Sequence, residues 1–121
     1  MTTFKRTPAQ ALLPLPLPVF HMLLALNEGE RHGYALKREI LRRTAGKLNL
    51  GSCALYGSIN RMLEQGLIEE SGERPDPHLD DERRRYYRIT PLGRRAAQAE
   101  AVRLRELVKL ADDSLGLPAM A

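Results

Sequence analysis

The last third of the chain carries its longest regular pattern, and this pattern limits the possible folds more than any other feature. Small and apolar residues recur there at intervals of 4, 3, 4, 3 and 4, as the seam Ala97, Ala101, Leu104, Val108, Ala111 and Leu115. This is the heptad spacing of a helix that packs along another helix. Thr90 and Pro91 suit the start of such a helix, and Gly116 suits its end. Because the seam is longer than a three-helix core can cover, we predict a dimerisation helix over 91–116 and a tail over 117–121.

The segment before that helix is predicted to form three helices followed by two strands. The helices are expected over about 18–26, 34–44 and 52–65, and the strands over 67–71 and 85–90. A loop with Gly72, Pro75 and several acidic residues joins the strands. Three helices and a two-stranded wing make a winged helix-turn-helix. The expected fold class is therefore mainly α with a small β-hairpin, with a winged helix-turn-helix domain over 18–90 followed by a long C-terminal dimerisation helix.

The N-terminal segment has an apolar run that superficially resembles a signal peptide. Pro14, Pro16 and Pro18 interrupt this run at every second residue, so its first half must be extended. The uninterrupted part, 19–26, is too short to span a bilayer. We therefore predict an irregular arm over 1–17 and no membrane partner.

Composition excludes several functional classes. Cys53 is the only cysteine, so the chain forms no intrachain disulfide and no thiolate zinc cluster, and a reducing cytoplasm fits best. The sequence has no paired-carboxylate signature, no glycine-rich phosphate loop and no nucleophile elbow. We therefore expect no enzyme, no metal site and no cofactor. The formal net charge of +4 is a mild bias toward polyanions such as DNA.

The third predicted helix has an outer face suited to DNA. With Ile59 at the centre of the buried stripe, 100° steps place Arg61 and several small residues away from the core. Small residues in the first turns would let the helix approach base edges in the major groove, as a recognition helix does. The candidate DNA-binding residues on this helix are Ser52, Ala54, Tyr56, Asn60 and Arg61. An ordinary surface helix with a few small residues is the alternative.

The other candidate DNA contacts are basic residues on the second helix and on the wing. Lys37 lies on the basic face of the second helix. In a helix-turn-helix this helix crosses the DNA backbone. The wing contributes the consecutive residues Arg83, Arg84 and Arg85, which can neutralise phosphates. Local cancellation is the alternative, because Asp76, Asp80, Asp81 and Glu82 precede this cluster. We expect two or three wing arginines to contact phosphate and the rest to offset the acids.

Three segments together resemble the PadR family of bacterial transcription regulators. They are Arg31–Leu36 (RHGYAL), Leu55-Tyr56 with Arg61–Ile68 (RMLEQGLI), and Arg84–Gly93 (RRYYRITPLG). The resemblance implies a homodimeric winged helix-turn-helix protein of the short subclass, with one helix after the wing. It further implies a repressor, in some members released by a phenolic or drug-like effector.

This sequence departs from the family pattern at two points. The first recognition turn, typically Ser-Pro-Gly-Thr-Leu-Tyr-Pro, is here Gly51–Gly57 (GSCALYG). Ala54 therefore lacks the threonine hydroxyl, although its methyl group is suited to contact thymine. The chain also has no tryptophan, which excludes the stacking of a planar drug on tryptophan that some relatives use.

These observations favour a sequence-specific transcriptional regulator, most simply a homodimeric repressor. Its expected partners are double-stranded DNA with a palindromic operator, a second copy of the chain and, as an option, a small aromatic effector. Symmetric pairing would place the two recognition helices about one DNA turn, roughly 34 Å, apart. The alternative is a winged-helix protein–protein interaction module assembled through the C-terminal helix, which the acidic loop of 76–82 keeps open.

Overall fold

The structure is a computed structural model that describes residues 6–75 and 83–118. Its helices are α1 (Leu17–Asn27), α2 (Gly33–Arg43), α3 (Ser52–Glu64) and α4 (Pro91–Leu115), and its strands are β1 (Arg31–His32), β2 (Ile68–Pro75) and β3 (Arg83–Ile89). The predicted order of three helices, a hairpin and a long helix is confirmed, and so is the winged-helix architecture. None of the helices in these two ranges is long and apolar enough to cross a membrane.

Side-chain caps fix where α2 and α4 begin. The Nδ1 atom of His32 accepts a hydrogen bond from the backbone N–H of Ala35 at 3.1 Å, which satisfies one of the free amides of the first turn of α2. Thr90 caps α4 in the same way, because its hydroxyl accepts from the N–H of Gly93 at 3.0 Å. At the other end of α4, Gly116 adopts the left-handed conformation with φ 60°. The helix therefore begins and ends where the sequence predicts.

The sheet is larger than the predicted hairpin. The strand order is β1-β3-β2, antiparallel throughout, so β1 adds a third strand that pairs Arg31 with Tyr87. The prediction that Gly72 and Pro75 lie in the loop is wrong, because β2 continues to Pro75. A shift of register between Glu70 and Gly72, where Gly72 has φ 130°, lets the strand pass a bulge and go on pairing with β3.

The N-terminal arm takes part in the core. Residues Gln10–Leu12 form a 3-10 turn, and Leu15 is buried in the core of the domain. The backbone N–H of Leu15 donates a hydrogen bond of 2.7 Å to Oε2 of Glu100, a carboxylate that is only 1% exposed. The described part of the arm is thus attached to α4, which its proline pattern did not reveal.

The two halves of α4 have different surroundings. In the first half, Gly93, Ala96, Ala97 and Glu100 are buried against the domain. Ala97, which the seam assigns to the dimer contact, is 8% exposed and belongs to the core of its own chain. Farther along the seam Ala101, Leu104 and Ala111 are half-buried, whereas Val108 and Leu115 are exposed.

Candidate nucleic-acid interface

A close contact between a glycine and a tyrosine joins the two helices of the helix-turn-helix. Gly33 is the first residue of α2, and a Cβ atom placed on it would lie 3.1 Å from Cε1 and Oη of Tyr56 on α3. Such a distance is tighter than ordinary van der Waals contact, so a larger residue would push the tyrosine ring outward. The ring is held beside α2 and remains 46% exposed.

A polar cleft opens between this joint and the wing. It has a volume of about 310 Å³, and its lining includes Tyr34, Tyr56, Asn60, Arg84, Arg85 and Tyr87. Four of the predicted DNA-binding residues, Tyr56, Asn60, Arg84 and Arg85, therefore come together from α3 and β3. Guanidinium groups and phenolic hydroxyls are donors to phosphate oxygens. Burial, with Glu70 as a second cause, raises the pKa of Tyr87, so this phenol keeps its proton at neutral pH.

The outer face of α3 has few projecting side chains. Ser52, Ala54 and Arg61 are exposed, as are Cys53 and Gly57. A Cβ atom at Gly57 would meet no atom within 4 Å. The N-cap is Gly51, which has no side chain to bond the first amides of the helix. This face allows the close approach to base edges that the sequence predicts.

The acid Glu39 engages two of the arginines of α2. Nη2 of Arg42 lies 2.5 Å and Nε of Arg43 lies 2.9 Å from Oε1 of Glu39. These two guanidinium groups lower the pKa of Glu39 to about 2. The predicted contact residue Lys37 is half-buried and does not line the cleft. The guanidinium of Arg38 lies 5.9 Å from the centre of the Tyr34 ring, which lines the cleft.

Two arginines of β3 face acids of the neighbouring strand β2. Arg88 binds Glu69 at 2.7 Å, and Nε of Arg85 lies 3.8 Å from Oε1 of Glu70. The predicted partners Asp76, Asp80, Asp81 and Glu82 lie outside the described residues. The side chain of Arg83 is also outside the described part, although its backbone belongs to β3. Offsetting of wing charge is therefore observed within the sheet itself.

Two residues of the cleft, Tyr34 and His32, are not among the predicted DNA contacts. An aromatic ring in α2 would be expected in the core, but Tyr34 is 44% exposed and lines the cleft. Its position in the first turn of a helix otherwise covered by basic residues is the signal that could have identified it. His32 lacks any metal-ligand spacing, and only the structure shows it as the buried cap of α2, with its ring edge-on to Tyr86. No group of three or more metal-ligating side chains occurs in 6–75 and 83–118.

A second concave surface lies beside the seam of α4. This groove, of about 450 Å³, runs between α1 and α4 and is lined by Leu24, Asn27, Arg94, Ala97, Gln98 and Ala101. Nε of Arg94 donates a hydrogen bond of 3.0 Å to Oδ1 of Asn27 at its rim. Its floor is apolar, formed by Leu24, Ala97 and Ala101.

Comparisons with known proteins agree with this architecture. A curated, uncharacterized protein of Lysinibacillus sphaericus is 33% identical over 74 residues, and the chain covers 64% of that relative's length. A PadR family transcription regulator from Clostridium difficile superposes with a TM-score of 0.68 at 19% identity, over 83% of this chain and 99% of that one. Bacillus subtilis PadR, solved in complex with operator DNA, superposes with a TM-score of 0.58 at 16% identity, over 75% of this chain and 48% of that one. The model of the transcriptional regulator PadR-like family matches residues 22–99, from α1 into the first half of α4, and the chain therefore belongs to this family.

Proposed function

We propose that the chain is a sequence-specific DNA-binding transcriptional regulator that acts as a homodimeric repressor. The observation that carries this proposal is the convergence of Arg84, Arg85 and Tyr56 in one cleft beside the exposed face of α3. The operator-bound state of B. subtilis PadR supports it, since that protein shares the fold. The family consists of transcription factors, which confirms the prediction that the chain is not an enzyme.

The exposed face of α3 and the cleft would have different roles in DNA recognition. The exposed face of α3, with Ser52, Ala54, Asn60 and Arg61, would lie in the major groove and read base edges. The cleft would hold a backbone phosphate between the tyrosine hydroxyls and the wing arginines, which fixes the register of the helix on the duplex. Lys37, Arg83, Arg84 and Arg85 would add phosphate contacts that carry no sequence information.

A second copy of the chain is the proposed partner of α4. Its second half exposes Val102, Leu107, Val108, Leu110 and Leu115, with Leu110 66% exposed. Val108 and Leu115 belong to the seam, and exposed apolar residues of this kind are typical of an interface. Two-fold pairing would bury these residues and would present two copies of α3 to a palindromic operator.

Repression and effector release are the finer parts of the proposal. The family resemblance supports a repressor. A small aromatic effector would suit the groove between α1 and α4, because its size is in the range of small-molecule sites and its floor is apolar. Occupation of this groove would act on α4 and therefore on the spacing of the two DNA-binding domains.

Selection of bound duplexes from a random DNA library, at low and at physiological salt, tests the proposal. We expect enrichment of a palindrome whose half-sites lie about one helical turn apart, roughly 34 Å. Binding without enrichment would contradict sequence-specific regulation. Absence of binding at both salts would favour the protein–protein interaction module instead.

Two arginines of β3 offer a matched test of the cleft. Arg85→Gln should weaken binding to all sequences and lower the salt slope by about 1, as expected for a lost phosphate contact. Arg88→Gln removes the same charge from the same strand, but Arg88 is bound to Glu69 and does not line the cleft. We expect near-normal affinity and slope for this control, and equal losses for both variants would contradict the phosphate role of the cleft.

A further inference from the structure

Two arginines of the wing face each other directly. Arg74 of β2 and Arg84 of β3 are register partners, so their side chains lie on the same face of the sheet. Like charges directly opposite each other destabilise a pair of strands. The sheet must therefore separate the two guanidinium groups or neutralise one of them.

The structure separates them onto two different aromatic rings. The guanidinium of Arg74 lies 3.6 Å from the centre of the Tyr86 ring. The guanidinium of Arg84 lies 6.0 Å from the centre of the Tyr34 ring, on the side of the cleft. Both are cation–π arrangements, which attract a cation to the face of a ring.

A carboxylate outside the wing forms an ion pair with Arg74. Oε1 of Glu30, in the connection between α1 and β1, lies 3.0 Å from Nη2 of Arg74. The neighbouring Ser71 hydroxyl, followed by Arg74, lowers the pKa of Glu30, so the carboxylate is charged at neutral pH. Glu70 pairs with Tyr87 and Gly72 pairs with Tyr86, so Ser71 is the extra residue of the bulge. The bulge lies beside Glu30.

We propose that Glu30 is a positioning residue for DNA binding: it holds Arg74 on Tyr86 and thereby leaves Arg84 in the cleft, where Arg84 contacts a backbone phosphate. This inference rests on the proposed function and names the residue that prepares its phosphate site. Without Glu30, the guanidinium of Arg74 is no longer held on Tyr86. It then competes with the guanidinium of Arg84 for the cleft.

The decisive variant is Glu30→Gln in the full chain, titrated with the duplex selected above. Removal of a negative charge from a DNA-binding protein ordinarily raises its affinity. Positioning predicts the opposite sign, a loss of roughly five- to tenfold, since one charge-assisted hydrogen bond is weakened. The salt slope should also fall by about 1, because one phosphate contact is lost.

Glu28→Gln is the matched control. Glu28 lies in the same connection two residues earlier, and it forms its ion pair with Arg43 instead of with the wing. The substitution changes the charge by the same amount, so we expect unchanged or slightly tighter binding. A loss equal to that of Glu30→Gln would overturn the proposal, because the effect would then belong to the connection as a whole.

Two double variants test whether the effect of Glu30 on DNA binding depends on Arg84. The double variant Glu30→Gln/Arg74→Gln carries neither competing charge, so binding should return to within about twofold of wild type. In an Arg84→Gln background, Glu30→Gln should have no further effect. Failure of the rescue, or a persisting loss in the Arg84→Gln background, would overturn the positioning role, as would equal or tighter binding by Glu30→Gln alone. Absence of DNA binding by the wild-type chain would instead refute the proposed function.

Discussion

Replacement of Gly93 by alanine should destabilise the fold because α4 passes unusually close to Leu67, the residue before β2. A Cβ atom at this position would lie 2.0 Å from the carbonyl oxygen of Leu67 and 2.9 Å from Cγ1 of Ile89. Non-bonded heavy atoms pack at about 3.5–4.0 Å, so the first turn of α4 must move by roughly 1 Å or more. That movement strains the junction where Thr90 bonds to Gly66 and Leu67, in the connection between α3 and β2.

The size of the effect follows from the contacts that must change. Overpacking costs about 1–3 kcal/mol. The shift also weakens two hydrogen bonds, from Thr90 N–H to Leu67 O at 3.1 Å and from the Thr90 hydroxyl to Gly66 O at 2.5 Å. Each contributes about 0.5–1.5 kcal/mol, whereas alanine gains up to about 1 kcal/mol over glycine in a helix. We therefore expect Gly93→Ala to lower the free energy of unfolding by about 2–4 kcal/mol.

Urea unfolding at a fixed protein concentration measures this loss. With a slope of about 1–3 kcal/mol/M, the midpoint should fall by about 1–2 M. Gly57→Ala is the matched control, because a Cβ there meets no atom within 4 Å and should stabilise α3 by up to about 1 kcal/mol. The same control should weaken DNA binding, since it adds a methyl group to the face proposed to enter the groove. An unchanged or raised midpoint for Gly93→Ala would refute the close approach of α4 to Leu67.

Three other changes test separate parts of the molecule. Arg61→Ala should relax base preference at one position per half-site, at a cost of about 1–3 kcal/mol, and unchanged specificity in a repeated library selection would remove Arg61 from the reading face. Replacing both Val108 and Leu115 with glutamate should shift sedimentation toward the monomer, because both are exposed members of the seam of α4, and a persisting dimer would place the interface elsewhere. Glu39→Gln should show a stability deficit in urea unfolding above pH 4.5 that shrinks as the pH falls toward 2, because a carboxylate with a lowered pKa stabilises the fold only while it is charged. A deficit that does not change with pH would refute the role of the Glu39 charge.

The order of the elements could be predicted because each depends on short-range chemistry. The apolar periodicity of α4 and its Thr90-Pro91 start are local signals, and the helix they predict is present from Pro91 to Leu115. The end of β2 was misplaced because Gly72 and Pro75 usually mark a loop, whereas a bulge lets the ladder continue through them. That bulge depends on pairing with β3, which no local pattern expresses.

The candidate site was predictable only in part. Tyr56, Asn60, Arg84 and Arg85 were identified from helical phase and charge, and the structure collects them in one cleft. Tyr34 was missed because its aromatic ring was counted with the apolar positions of α2, whereas helical phase places it almost opposite the buried Leu36. Ion pairs such as that of Glu30 with Arg74 join residues far apart in the chain, so composition counts their charges without showing that they meet.

The sequence by itself determined the kinds of elements, their order and the residue types available for DNA, because periodicity, caps and charge act within a few residues. Tertiary structure alone decided which of these residues share a surface. It placed Ala97 in the core of its own domain, attached Leu15 of the arm to the buried Glu100, and directed two opposed arginines to different rings. The physical reason is that burial and charge pairing depend on distances in space, and the chain acquires those distances only when its helices and strands have packed.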